Sequence, residues 1–249
     1  GPGGRGVIGH ALQAELAAIG TERARARAEV YRTLALGFRP PAGLREGGRD
    51  SCFSNRLRRS LIVLALFPLR DVFAQLETAI QRLWDGPDLA EAWSLEHTRL
   101  FVGPGRMAAP PYESVYTDPD GRVMGEAAVD ALGRYREAGL SLAPEVHELP
   151  DHVAVLTEFM AHLCEEEAAA WTRGDVPEAE GLLSLQASFL ADHLLSWTPQ
   201  FSARIVFATH CDLYLALARL VEGFPRLDHE QIAVLRATLA PAGKTFGGS

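Results

Sequence analysis

Asp151-His-Val-Ala-Val-Leu-Thr-Glu-Phe-Met-Ala-His-Leu-Cys-Glu-Glu-Glu-Ala-Ala-Ala-Trp-Thr-Arg173 is the stretch that decides the fold class. Val153, Leu156, Phe159, Met160 and Leu163 recur at three- and four-residue intervals. That spacing lays one apolar stripe along a helix and does not match the alternating face of a strand. Asp151 stands where the helix begins, and its carboxylate is placed to cap the free amides of the first turn.

The same period extends outward in both directions. It predicts helices over 21–38, 56–67, 69–84, 88–101, 124–138, 177–196, 199–222 and 228–239. Thr21 is the expected cap of the first, with Val30, Tyr31, Leu34 and Phe38 on one face. Pro40-Pro41, Pro68 and Gly86-Pro87 punctuate the series. The Gly-rich, charged segment from Pro40 to about Asn55 reads as a loop. Without a strand-rich stretch, a repeat or a low-complexity block, the expected fold is all-α, a single-domain helical bundle of about nine helices with a long proline-rich functional loop. The bundle is expected over 21–240. Residues 1–20 are read as a tag remnant (Gly1 to Gly4, with no initial Met) and a flexible lead, and 241–249 as a flexible tail.

Composition bounds the function. Of 249 residues 47% are hydrophobic and 22% charged, which suits a globular protein and excludes general disorder. The net charge of −8 argues against nucleic acid or an anionic membrane as the main partner. No apolar run is long enough for a stable membrane insertion. Arg58-Arg59 ahead of Ser60-Leu-Ile-Val-Leu-Ala-Leu-Phe67 imitates an export signal, but it lies deep in the chain and Pro68 ends it. A buried helix led by two surface arginines is the better reading. Cys52, Cys164 and Cys211 form no C-x-x-C, so they read as reduced thiols, the last two on packed helix faces.

Between Gly103 and Gly121 the periodicity stops, and Pro104, Pro110, Pro111 and Pro119 fall there. A long irregular loop in a compact domain is usually functional or disordered, and Tyr112, Val115 and Tyr116 argue against disorder. Rigid aromatics on a proline-braced loop suit peptide recognition. The alternative is a loop pinned to the core by its two tyrosines, which residue types alone favour. At Asp151-His152 a helix cap beside a solvated histidine competes with a pH-responsive contact point, and the cap is again the simpler reading.

Taken together, three segments are specific: Leu100-Phe-x-Gly-Pro104, then Pro111-Tyr-Glu-Ser-Val-Tyr116, then Pro150-Asp-His152 opening a helix with Glu158-Phe-Met160. In this order they resemble the TorD/DmsD/NarJ family of maturation chaperones for molybdenum-containing redox enzymes. The resemblance covers about residues 22–240 in length and layout. It implies an all-helical cytoplasmic chaperone, not an enzyme, that needs no cofactor or metal of its own. Its partner would be the molybdopterin-containing catalytic subunit of a DMSO-reductase-type enzyme, bound through the twin-arginine signal peptide or as the apo-form until cofactor insertion. It also implies that Leu100, Phe101, Pro111, Tyr112, Glu113, Tyr116, Pro150, Asp151 and His152 border the client groove. Some relatives carry tryptophan after the Gly-Pro turn and at both loop aromatic sites. Here those positions are Gly105, Tyr112 and Tyr116, which implies a less aromatic groove.

Other chemistry finds little support. Glu158, His162 and Glu166 fall at i, i+4 and i+8, the basis of a competing small metalloenzyme, but such a line is usually a solvated helix face. No E-x-x-H pair at bundle spacing is present. Ala242-Gly-Lys-Thr245 lacks the first glycine and the strand of a phosphate loop. No nucleophile, base and orienter form a set. A helical scaffold with no signal-peptide role is the third reading.

Overall fold

The computed structural model describes residues 3–41, 53–83, 87–142 and 148–239. In chain order the helices are α1 (Gly3–Gly37), α2 (Phe53–Val63), α3 (Arg70–Leu83), α4 (Pro87–His97), the single turn α5 (Ser114–Thr117), α6 (Glu126–Glu137), α7 (Val153–Arg173), α8 (Val176–His193), α9 (Thr198–Ala208) and α10 (Asp212–Leu239). A 3-10 turn, Phe67–Leu69, leads into α3, and a π turn, Thr98–Val102, ends α4. Among the described residues the one strand-like pairing is an isolated bridge between Tyr112 and His152, and no helix is long and apolar enough to cross a membrane. The fold is the expected all-α bundle. Cys52, Gly86, most of the 40–55 loop, the 241–249 tail and the Ala242–Thr245 segment lie outside the described residues.

The apolar stripes do what their spacing demands. Val30, Tyr31, Leu34 and Phe38 on α1, and Val153, Leu156, Phe159, Met160 and Leu163 on α7, are all buried. These two helices share the most extensive contact in the bundle. Gly20 lets them approach closely, since a Cβ there would stand 2.6 Å from the Trp171 ring. Helix α7 stops at Gly174, whose φ of 72° lies in the left-handed region that glycine adopts without strain. Asp175 then caps α8, its Oδ1 accepting from Glu178 N at 3.1 Å. Arg58 and Arg59 are exposed and pair with Glu77 and Glu22, while Leu57, Ser60 and Leu64 of the same segment are buried.

Several boundaries differ from expectation. Helix α1 reaches back to Gly3, and Thr21 lies inside it, its hydroxyl donating to Ala17 O at 2.8 Å instead of capping. Helix α2 begins at Phe53, inside the expected loop. The expected 199–222 helix divides at Thr209, which is extended (φ −134°, ψ 156°). Its hydroxyl donates to Glu96 and accepts from Cys211 N, so it turns the chain. Cys211 therefore sits in a link, not on a helix face. Helix α10, in contrast, runs unbroken through Pro225. Proline costs an interior helix about 3 kcal/mol. Burial of Leu217, Leu220, Val221 and Phe224 around it offsets that cost.

One charged group sits in the centre of this packing. Arg27 on α1 is 4% exposed. Its Nη1 donates to Glu167 Oε2 of α7 at 2.6 Å, its Nε to Asp228 Oδ1 of α10 at 2.5 Å, and its Nη2 to Gln186 of α8. Tyr31 donates to Asp228 at 2.6 Å, and Trp171 to Glu167 at 3.0 Å. Burial opposes the charge on Arg27, but the carboxylates of Asp228 and Glu167 outweigh it and hold the guanidinium ionised. Removing one member of such a network strands the others in a dry interior, which costs about 3–5 kcal/mol. Arg27→Met should therefore lower unfolding stability by that amount in a denaturant titration. The double variant Arg27→Met with Asp228→Leu should recover part of it.

Candidate functional site

The aromatic loop is held against the start of α7 by a compact set of hydrogen bonds. The π turn ending α4 turns both Leu100 and Phe101 inward, and both are buried. Gly103, at φ 111°, makes the exit. A Cβ there would stand 3.2 Å from the backbone of Gly105. The loop doubles back so that Ala109 N donates to Leu100 O at 2.9 Å. It then runs antiparallel to the chain entering α7. Val153 N donates to Pro111 O at 2.8 Å, and Glu113 N to Asp151 O at 3.0 Å. Ser114 N donates to Asp151 Oδ2 at 2.9 Å, and Tyr135 Oη to Pro150 O at 2.7 Å.

All nine expected site residues meet in this region, but they differ in exposure. Leu100, Phe101, Pro111, Glu113, Pro150, Asp151 and His152 are buried, and Tyr112 and Tyr116 are half-buried. Phe101 packs edge-on to Phe38 and Tyr214, with ring centroids 5.8 and 5.4 Å away. Tyr112 stands edge-on to the His152 ring at 5.2 Å. Tyr116 donates to Pro110 O at 2.9 Å, lies 5.3 Å from Trp197 and carries Arg204 over its face at 4.6 Å. The two tyrosines pin the loop and also form its partly open surface.

The roles of Asp151 and His152 exchange relative to expectation. His152 is the N-cap of α7, its Nδ1 accepting from Ala154 N at 3.0 Å. Asp151 does not cap. Its carboxylate turns away from the helix to hold the loop at Ser114, and its Oδ1 has no partner among the described residues. His152 is not solvated either. Burial, with smaller contributions from His97 and Arg39, lowers its pKa to about 3, so the ring stays neutral and free to accept at Nδ1. Two further groups escaped the sequence reading. His193, at the end of α8, places Nδ1 3.0 Å from Glu113 Oε2 and Nε2 3.0 Å from Asp130 Oδ2. Arg204 covers Tyr116.

Next to this clasp an open cavity of roughly 490 Å³ runs between α1 and α7. Leu36, Leu140, Leu142, Val155 and Phe159 form its apolar lining, and Tyr135 links it to Pro150. Ion pairs Arg39–Glu158 and Arg32–Glu165 join its two walls. Glu158 is thus engaged by a cation from α1. Among the described residues no group of three His, Cys, Asp or Glu side chains is placed to hold a metal ion.

The depressed His152 pKa has a calculable consequence. An unfolded histidine takes up a proton near pH 6.5, whereas this one resists down to about 3. Its contribution to stability is therefore present above pH 6.5 and lost as pH falls between those values. His152→Asn, which keeps a capping oxygen, should flatten that part of the acid denaturation curve. His152→Ala should also lose the cap, about 0.5–2 kcal/mol.

The family model for the nitrate reductase delta subunit matches residues 68–203. The chaperone protein TorD of a Psychrobacter species is 30% identical, over 64% of this chain and 71% of its own. TorD of Vibrio vulnificus is 27% identical over 83% of this chain and 94% of its own. A solved structure of a candidate redox enzyme maturation protein from Archaeoglobus fulgidus superposes on 81% of this chain and 93% of that one, with 19% identity and a TM-score of 0.48. The matched span runs through the π turn, the aromatic loop and all of α7, and the chain belongs to the TorD/NarJ family of redox-enzyme maturation chaperones.

Proposed function

We propose that this chaperone acts in the cytoplasm on the molybdopterin-containing catalytic subunit of a DMSO-reductase-type enzyme. It holds the subunit's twin-arginine signal peptide, or its apo-form, until the cofactor is inserted and export can proceed. The observation that carries the reading is the apolar groove between α1 and α7, which begins one turn beyond His152 and has charged groups along both walls. An apolar peptide segment fits such a lining, and its flanking arginines can exchange with Arg32 and Arg39 for Glu165 and Glu158. Tyr112 and Tyr116 border the loop end of the site. Leu100, Phe101, Pro111, Glu113, Pro150, Asp151 and His152 shape it from beneath.

Calorimetric titration with the host's twin-arginine peptides tests this. Binding is expected to exceed that of a scrambled control and to weaken with salt, because the pairs involved are half-exposed. Equal binding of scrambled and native peptides would overturn it. Leu36→Asp, on the groove wall, and Tyr112→Ala should each weaken binding by about 1–3 kcal/mol, with smaller changes in melting temperature. Matching losses in stability would make both residues merely structural.

A further inference from the structure

His193 closes α8, and its ring reaches a junction of three elements. Nδ1 faces Glu113 of the aromatic loop and Nε2 faces Asp130 of α6, each at 3.0 Å. The His193 and Glu113 side chains are both 3% exposed, whereas Asp130 is 58% exposed. The junction is therefore dry on the loop side and open on the α6 side. A neutral imidazole has one N–H and can donate to one of these carboxylates. The other contact would set lone pair against lone pair. Two acceptors at hydrogen-bond distance require a proton on both ring nitrogens, or one on a carboxyl.

The surrounding charges favour the ring. Glu113 and Asp130 converge on the ring, with Asp151 acting on Glu113 from the entry to α7. Against them stands Arg134 of α6, which lies 3.6 Å from Asp130 and 3.0 Å from Asp192. Among the described residues two further neighbours are neutral: Trp197 donates to His193 O at 2.7 Å, and the Phe189 ring of the same helix lies tilted at 4.7 Å. The Arg134 guanidinium is divided between two carboxylates, and the last turn of a helix adds a further preference for a cation.

We infer that His193 is the positioning residue of the aromatic loop: as an imidazolium between Glu113 and Asp130, it latches Tyr112 and Tyr116 to α6 and α8. Burial alone would lower its pKa, but the hydrogen bonds and charges of Glu113 and Asp130 prevail and raise it. Burial also raises Glu113, so both partners hold the proton more tightly than free groups would. The sign follows. The latch is fully set below the ordinary histidine pKa and is released as pH rises through the elevated one, when the proton leaves to solvent. The role of this latch in client recognition rests on the function proposed above, whereas its existence does not.

The test is an NMR titration of the histidine rings, with His193→Gln assigning the signal, beside amide exchange of residues 112–117 across the same pH range. The His193 ring is expected to remain an imidazolium above the ordinary value of about 6.5. Exchange of the loop, corrected for its intrinsic pH dependence, should rise about tenfold through the midpoint. His193→Gln should abolish that step. Asp130→Asn, at an exposed position, should fold normally and move the midpoint down. A ring that titrates at or below the ordinary value, a step that persists in His193→Gln, or an unmoved midpoint in Asp130→Asn would overturn the latch. Peptide affinity, measured separately, is expected to fall with the same midpoint. A loop that unlatches while affinity stays constant would remove the loop from the client groove and leave the latch standing.

Discussion

The buried guanidinium of Arg27 is the constraint on which the bundle depends. A cation in a dry interior is tolerated only when its donors are met, and here three neighbouring side chains, one from each of three other helices, meet them. Satisfying that one group fixes the rotation of α1 against α7, α8 and α10. With α1 and α7 fixed side by side, the groove between them has set walls. With α7 fixed, its first turn holds the loop that carries Tyr112 and Tyr116. The polar centre at Glu167 and the loop clasp at His152 lie towards opposite ends of the same helix, so the precision of one supports the other.

The residues that carry the resemblance are mostly scaffold. Asp151 accepts the Ser114 amide, His152 caps α7, Pro111 and Pro150 supply carbonyls, and Leu100 and Phe101 anchor the loop in the core. Their shared task is to convert an irregular, proline-rich segment into a fixed surface at little entropic cost on binding. In the proposed function, specificity falls to the more exposed groups around them: Tyr112, Tyr116, Arg204 and the lining of the groove.

Much of the fold was legible because stripe spacing is a local property. The apolar positions of α1 and α7 predict their own burial, and glycine and proline predict most ends. The errors arose where tertiary contacts outweigh local preference. Pro225 fails to break α10 because its neighbours are buried, and Thr209 breaks a helix because Glu96, distant in sequence, engages its hydroxyl. The candidate site was legible as a set of segments, because the family resemblance implies that they border one groove. Which residue capped α7 was not, because His152 and Asp151 differ by one position and the loop competes for the carboxylate. Arg27, Glu167, Asp228 and His193 carried a usable signal, each standing on an otherwise apolar helical stripe: Arg27 between Ala24 and Tyr31, Glu167 between Leu163 and Trp171, Asp228 between Phe224 and Ile232, His193 between Phe189 and Trp197. A charge at such a position implies buried partners, but not which ones.

The central claim is that the client occupies the face built by α1, α7 and the aromatic loop. Hydrogen–deuterium exchange of the chaperone alone and with its catalytic-subunit client tests it directly. The account predicts new protection in residues 32–39, 112–117 and 155–165, with α3 and the outer face of α10 unchanged. Protection confined to α3 or α10, with none along that face, would contradict it.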